Sequence, residues 1–304
     1  MRVLVTGATG FVGQEILRQL HEAGVRIRIL VRDPTSPQAQ QVVSQYGVEV
    51  HAGNVLDLAS LQGSTAGCHA VIHLVGIITE IGEATFENIH VRGTENVLEA
   101  AKRAGIERFI HMSALGTRSD AVSRYHQSKW KAEEAVYLSD LDSTILRPSL
   151  IYGAKDHFVN FFAKIIRRSP VVPVIGSPTA EFQPVPVECV AKAFVKAMHE
   201  PRSIGETYEL AGPDAMTLSQ ILDAILKVMR RRRLKLRMPA AFVRTQAKFL
   251  EFVYPRLLRK APPLNRDQLL MLEEDNVGDP EPANQLFDLK APSFAEGIAR
   301  YLQP

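Results

Sequence analysis

Arg2-Val3-Leu4-Val5 runs straight into Thr6-Gly7-Ala8-Thr9-Gly10-Phe11-Val12-Gly13. A short apolar segment enters a turn with glycines at 7, 10 and 13. A helical pattern follows, with Val12, Ile16, Leu17 and Leu20 on one face. This strand–turn–helix context is what gives a glycine triplet meaning. Gly7 permits the tight turn, and Gly10 removes a Cβ that would block a pyrophosphate. Gly13 lets the helix pack close to the strand. The N–H groups and positive end of that helix then face phosphates. The alternative is an ordinary glycine-rich βα turn.

The same rhythm continues along the chain. Strands are expected at 2–5, 26–31, 48–51, 70–74, 108–112 and 144–147. The clearest helices are expected at 13–23, 85–104 and 123–138. Apolar strands joined by amphipathic helices imply a parallel sheet covered on both faces. Right-handed crossovers make it an α/β, doubly wound Rossmann fold. After Pro148 the rhythm breaks at Pro170, Pro173, Pro178, Pro184 and Pro186. Helices are expected again at 187–199 and 218–232, with a strand at 207–210. The reading is a dinucleotide-binding domain over 1–153. Residues 154–304 are mainly a smaller substrate lobe, with some elements returning to the sheet.

Composition narrows the function classes. The 304 residues are 46% hydrophobic and 23% charged, ordinary globular values. A net charge of only +3 argues against a nucleic-acid partner for the whole protein. Cys68 and Cys189 lie far apart, outside any metal-ligand spacing, so neither a metal site nor a disulfide framework is expected. Met1 leads into the first strand and no run of about 18 apolar residues exists. A cytoplasmic protein without a signal peptide or membrane span is therefore expected.

The end of the second strand decides between cofactors. A carboxylate there selects NAD by accepting from the ribose hydroxyls. Here the strand ends in Arg32-Asp33-Pro34. Arg32 can stack on adenine and pair with a 2′-phosphate, which favours NADP(H). With Asp33 as the ribose ligand and Arg32 solvated, NAD(H) would fit instead. Asn54, before Val55, either bonds the adenine edge or caps a turn. Leu74-Val75-Gly76 ends the fourth strand, and Gly76 permits close approach to ribose and phosphates.

Together these segments resemble the extended and atypical branches of the short-chain dehydrogenase/reductase superfamily. Asn88-Ile89-His90-Val91-Arg92-Gly93-Thr94-Glu95-Asn96 is similar to its fourth-helix segment. Tyr125-His126-Gln127-Ser128-Lys129 is similar to its Tyr-x-x-x-Lys motif. Leu146-Arg147-Pro148-Ser149-Leu150-Ile151-Tyr152-Gly153 is similar to the segment reaching the nicotinamide. The tail from Leu264 to Asn276 resembles an atypical subgroup that includes the nucleotide-binding accessory subunit of respiratory complex I and its bacterial relatives. The resemblance implies cofactor contacts at Gly7, Thr9, Gly10, Phe11, Val12, Gly13, Arg32, Asn54, Val55, Leu74, Val75, Gly76, Met112, Tyr125, Lys129, Pro148, Ser149 and Ile151.

Tyr125 and Lys129 are one helical turn apart and share a face. An ammonium beside it is expected to lower the Tyr125 pKa and make it a general acid/base. The resemblance also gives Lys129 a role in holding the nicotinamide ribose. Ser113 is the candidate for the family's third catalytic residue, although that position can instead align with Ala114. Loss of this hydroxyl would remove an oxyanion donor worth about 10²–10³ in rate. Asn88 resembles an Asn that anchors a relay water, and equally can cap its helix.

Between 227 and 260 basic residues alternate with aromatic and aliphatic ones, from Lys227 and Arg230–Arg233 to Arg256, Arg259 and Lys260, opposed only by Glu251. This suits an anionic membrane surface or a protein complex, peripheral to a membrane; a solvated face on lobe helices is the plainer reading. The leading expectation is an NADP(H)-dependent oxidoreductase acting on a carbonyl or quinone-like small molecule of unknown identity. A non-catalytic NADPH-holding accessory or assembly protein is the rival. A nucleotide-sugar epimerase or dehydratase ranks third.

Overall fold

The computed structural model describes residues 1–238, 245, 254 and 265–303. The first half carries β1 (Arg2–Thr6), α1 (Phe11–Glu22), β2 (Arg26–Val31), α2 (Pro37–Tyr46), β3 (Glu49–Ala52) and β4 (Ala70–His73). A wide π-type turn over Glu87–Arg92 leads into α3 (Gly93–Arg103). Then follow β5 (Arg108–Met112), α4 (Arg124–Tyr137) and β6 (Asp142–Pro148). Later elements are β7 (Ile151–Tyr152), α5 (Phe158–Arg168), β8 (Val171–Val174), β9 (Glu181–Phe182), β10 (Val185–Pro186), α6 (Val187–Ala197) and β11 (Glu206–Leu210). The chain continues through β12 (Met216–Thr217), α7 (Leu218–Val228) and β13 (Leu234–Arg237), then α8 (Arg266–Met271), α9 (Glu281–Phe287) and α10 (Phe294–Ala299).

Seven strands form one parallel sheet in the order β3-β2-β1-β4-β5-β6-β11. The chain moves outward from β1 to β3, then crosses back and moves outward again from β4. The crevice over the carboxyl ends of β1 and β4 is thus the switch point where ligands bind in such sheets.

Strand alternation sorts the core into two layers. Val3, Val5, Ile29, Ile72, Ile110 and Leu146 point toward α1, α6 and α9. Leu4, Val71, Phe109 and Ile145 point toward α3 and α4, where Val97, Leu98, Ala101 and Val136 meet them. On this second face the next residues along three strands are polar: Thr6, His73 and His111, all fully buried. A separate core joins α5, α7 and α10 through Phe162, Ile221, Ile225, Phe294 and Ile298. Late elements also return to the sheet: β11 extends it, and α6 packs on α1.

The helix expected over 85–104 runs unbroken from Phe86 to Arg103, widened to π geometry at Glu87–Arg92. One expectation changes. The helix expected over 218–232 stops at Val228, because Arg230 takes a left-handed φ of 51° and Arg231 N bonds back to Leu226 O at 3.0 Å. The chain then enters β13, which pairs with β8. The rest of the basic stretch, 239–244, 246–253 and 255–260, lies outside the described residues.

Gly13 is the tightest point of the first turn. A Cβ there would lie 2.4 Å from Gly7 O and 2.7 Å from Ala8 Cα, whereas one at Gly10 would meet only Gly7 O, at 3.2 Å. Gly13→Ala is expected to cost about 2–3 kcal/mol in urea unfolding, as forced overpacking does. Gly10→Ala should stay within about 1 kcal/mol while dinucleotide binding is lost. Equal stability costs at the two positions would refute this division of roles.

Candidate active site

The glycine turn is shaped as a cradle. Gly7 holds φ +72°, and its missing Cβ lets Leu74 approach, which would otherwise sit 3.0 Å away. Gly10 is the N-cap of α1 and places no side-chain cap on its first turn. In contrast, α2, α4 and α7 are capped by Ser36, Ser123 and Thr217. The N-terminal donors of α1 are therefore left for an anion, and open space above Gly10 admits one. These features fit a dinucleotide pyrophosphate. Thr9, Phe11 and Val12 complete the turn: Thr9 O accepts from Gln14 Nε2 at 3.0 Å, and Phe11 packs at Gly153.

The other expected contacts fall around the same edge. Asp33 Oδ1 accepts from Thr35 N at 2.8 Å and from Thr35 Oγ1 at 2.6 Å, which holds its carboxyl below the usual range. Arg32 is exposed beside it. Asn54 Oδ1 accepts from Leu56 N at 3.1 Å, so its carbonyl caps a turn. Val55 is buried against Gly93. Ser149 Oγ bonds Asn276 Oδ1 at 2.5 Å, and Pro148 and Ile151 flank it. Val75 lies between Leu74 and Gly76 on the loop after β4.

Gly76 has a reason the sequence did not reveal. A Cβ there would lie 3.2 Å from Lys129 Nζ and 3.5 Å from His90 Nε2. Lys129 is 2% exposed and donates to Met112 O at 2.9 Å. Burial pushes its pKa down to about 8, partly opposed by Glu133 one turn further along α4. Glu133 is itself buried and grips Arg147 through Nε–Oε1 at 2.8 Å and Nη2–Oε2 at 2.5 Å.

A buried polar chain runs beneath the site. Ile77 N donates to His90 Nε2 at 3.0 Å, so the proton of this imidazole sits on Nδ1. His90 Nδ1 donates to Ser128 Oγ at 2.8 Å, and Ser128 Oγ donates to Tyr125 O at 2.7 Å. Behind it, Thr94 Oγ1 donates to His90 O at 2.6 Å and meets His73 Nε2 at 3.2 Å. His73 Nδ1 accepts from Thr6 Oγ1 at 2.7 Å. The chain thus joins the first strand to the tyrosine helix. Desolvation and the Lys129 charge push His73 to about 3 and His90 to about 2, and hold His111 well below its usual value. His111 stacks on His73 at 5.6 Å, and neither ring nitrogen finds a partner among the described residues.

Tyr125 is enclosed by the rings of Phe86, His90 and His126, at 5.9, 5.3 and 5.2 Å. Its pKa is pushed up to about 12, first by desolvation and then by Asp267. The expected lowering by an ammonium is corrected: Lys129 is tied to Met112 O, and the surroundings of the phenol favour its neutral form. One further expectation changes. Asn88 Nδ2 donates to Glu83 O at 2.8 Å, so it braces its own loop, and His90 is the polar group set under Tyr125. Ser113 is 2% exposed and its hydroxyl bonds Thr117 Oγ1 at 3.4 Å. The sequence alone gives His73 and His90 no role. For His73 the visible signal was its place at the end of the apolar run Ala70–Ile72. Asp267, 142 residues from Tyr125, offered no local signal.

This arrangement defines an NAD(P)H-binding protein of the Rossmann type. The chain belongs to the NAD(P)H-binding family, which it matches over residues 7–162. It is 31% identical over 278 residues to the mitochondrial NADH dehydrogenase [ubiquinone] 1 alpha subcomplex subunit 9 of Arabidopsis thaliana, covering 90% of this chain and 68% of that one. It is 35% identical over 200 residues to the ceramide reductase of Caulobacter vibrioides, covering 66% of this chain and 61% of that one. The fold matches the NADPH-dependent quinone oxidoreductase of Escherichia coli complexed with NADPH at a TM-score of 0.77 and 19% identity, over 98% of this chain and 99% of that one. The resemblance to short-chain reductases and the complex I subunit therefore holds.

The buried ammonium sets a pH signature. The native state sheds the Lys129 proton near pH 8, whereas the unfolded chain keeps it to about 10.4. Between these values the unfolded state binds more protons, so stability from this group rises with pH. Lys129→Met should be more stable than wild type at pH 7, and the difference should shrink toward pH 10. A pH-independent difference in urea unfolding would contradict the buried charge.

Proposed function

We propose that the protein is an NADPH-dependent reductase of a carbonyl or quinone-like group, with Tyr125 as proton donor. The observation that carries this is the pair Tyr125 and Lys129 on α4, set beside the loop that leaves β4 at the switch point. Bound NADPH supplies a hydride. The glycine turn holds the pyrophosphate, and Lys129 orients the nicotinamide ribose. The neutral phenol of Tyr125 donates its proton to the substrate oxygen, and solvent returns one. Asp33 turns its carboxylate to Thr35, which supports Arg32 as the partner of a 2′-phosphate and hence NADP(H) over NAD(H). The rim loops expose Ile78, Ile81 and Val122, which supports an apolar substrate. A relative named ceramide reductase agrees with that class.

A second reading is favoured by the tied-back Ser113 and by the complex I relative that spans 90% of this chain: NADPH is held without turnover. NADPH should co-purify and bind at least tenfold more tightly than NADH, a gap that Arg32→Ser closes. A quinone or aldehyde panel should oxidise it, and Tyr125→Phe should abolish turnover while leaving NADPH bound. Bound NADPH that no acceptor oxidises would favour the accessory reading; unchanged turnover in Tyr125→Phe would reject the donor role.

We also propose an anionic membrane surface as partner. Beside the exposed Arg230, Arg231 and Arg232, β13 directs Lys235 to Asp223 on α7 at 2.7 Å and leaves Leu234 and Leu236 exposed, at 66% and 51%. Arg167 and Arg168 end the neighbouring α5. Basic and apolar groups side by side suit anionic headgroups. No helix among the described residues is long and apolar enough to cross a membrane. Co-sedimentation with phosphatidylglycerol vesicles is expected at low salt, weakened by Leu236→Ser. Absence of binding at low salt would remove this partner.

A further inference from the structure

The tail motif 265–276 is the part of the sequence that the proposed chemistry does not use. In the structure it crosses the site and ties its loops together. Asn265 Nδ2 donates to Ile78 O at 2.8 Å and to Thr79 Oγ1 at 2.9 Å. Glu274 pairs with Arg118 at 2.6 Å. Asn276 donates to Leu115 O at 2.9 Å and accepts from Ser149. At its start stands Asp267, whose carboxylate accepts from Ser123 Oγ at 2.8 Å, Arg124 N at 2.8 Å and Tyr125 N at 3.0 Å.

We propose that Asp267 is a positioning residue for Tyr125: its carboxylate locks the first turn of α4 and opposes ionisation of the phenol, which keeps Tyr125 in the protonated form that carbonyl reduction uses as its proton source. The inference rests on the reading of Tyr125 as proton donor. The physics is electrostatic. The positive start of a helix stabilises an anion in its first turn, and Tyr125 occupies that turn. A carboxylate placed on the same N–H groups cancels this effect and opposes a second anion. Alcohol oxidation needs tyrosinate to take a proton; carbonyl reduction needs the neutral phenol to give one.

Among the described residues, the other charged and titratable groups around Tyr125 leave Asp267 as the anion acting on the phenol. On its own helix stand Arg124, His126 and Lys129. From the 76–86 loop, Glu80 is engaged by Arg124 at 2.9 Å. From the π turn comes His90, neutral by its hydrogen bonds. The 115–118 loop brings Arg118, which Glu274 engages. Burial and Asp267 act on the phenol in the same direction.

The test is NMR of the full chain carrying ¹³Cζ-tyrosine, with the Tyr125 resonance assigned by its loss in Tyr125→Phe. At pH 10.5, Asp267→Asn is expected to carry about tenfold more Tyr125 tyrosinate than wild type. Asp267→Glu should restore the wild-type titration. The alkaline limb of NADPH oxidation with an active acceptor should move down in parallel. Should Asp267→Asn fail to fold, Asp267→Ser supplies a neutral cap for the same titration. An unmoved Tyr125 titration in a folded neutral variant overturns the inference and leaves a structural cap. Turnover that survives Tyr125→Phe overturns the proton-donor reading instead, and the titration still reports on Asp267 alone.

Discussion

An ammonium group sealed into the seam beside β4 and β5 organises this molecule. Lys129 Nζ is removed from water and given one carbonyl, that of Met112. Burying such a charge is costly unless neighbouring groups respond to it. The response is visible in several places. Glu133 lies one turn away on the same helix and lends a partly compensating field. The surrounding imidazoles are all neutral, since a second cation beside the first would add repulsion to desolvation. Gly76 carries no side chain because the lysine tip and His90 fill that space. One residue thereby constrains the tyrosine helix, the loop after β4 and the polar ends of two strands.

Sheet topology explains why this charge and the glycine turn meet. The winding of the sheet reverses between β3 and β4, which opens a crevice at the carboxyl ends of β1 and β4. The α1–α6 face delivers the glycine turn to that crevice, and the α3–α4 face delivers Tyr125 and Lys129. The histidine chain from Thr6 to Ser128 connects the two. It leaves most of its own polar atoms satisfied, which a buried polar layer requires if it is to specify one arrangement. His111 is the exception, with both ring nitrogens lacking a partner among the described residues.

The tail plays a different part. Its helix α8 is only six residues long and contributes little apolar area of its own. Side-chain amides and carboxylates instead join it to the loops at 78–79, 115–118 and 123–125 and to Ser149. Residues 7–162, which match the family, hold the turn and the tyrosine helix, whereas the segment that clamps them comes from more than a hundred residues further on. The relatives are longer than this chain, which spans 68% of the Arabidopsis subunit and 61% of the Caulobacter reductase.

Local spacing was enough to define the layered sheet, the glycine cradle and the helical pairing of Tyr125 with Lys129. Each depends on period-two or period-3.6 patterning, or on the absence of a Cβ, and such properties are written in neighbouring residues. The protonation states were not legible. A lysine four residues from a tyrosine reads as a charge that lowers its pKa, yet here the lysine is tied to Met112 O, while burial and the distant Asp267 raise it. Likewise Asn88 and His90 are two residues apart, and only the wide turn at Glu87–Arg92 decides which one faces the tyrosine. Desolvation and field depend on what packs around a group in three dimensions, and sequence separation says nothing about that distance.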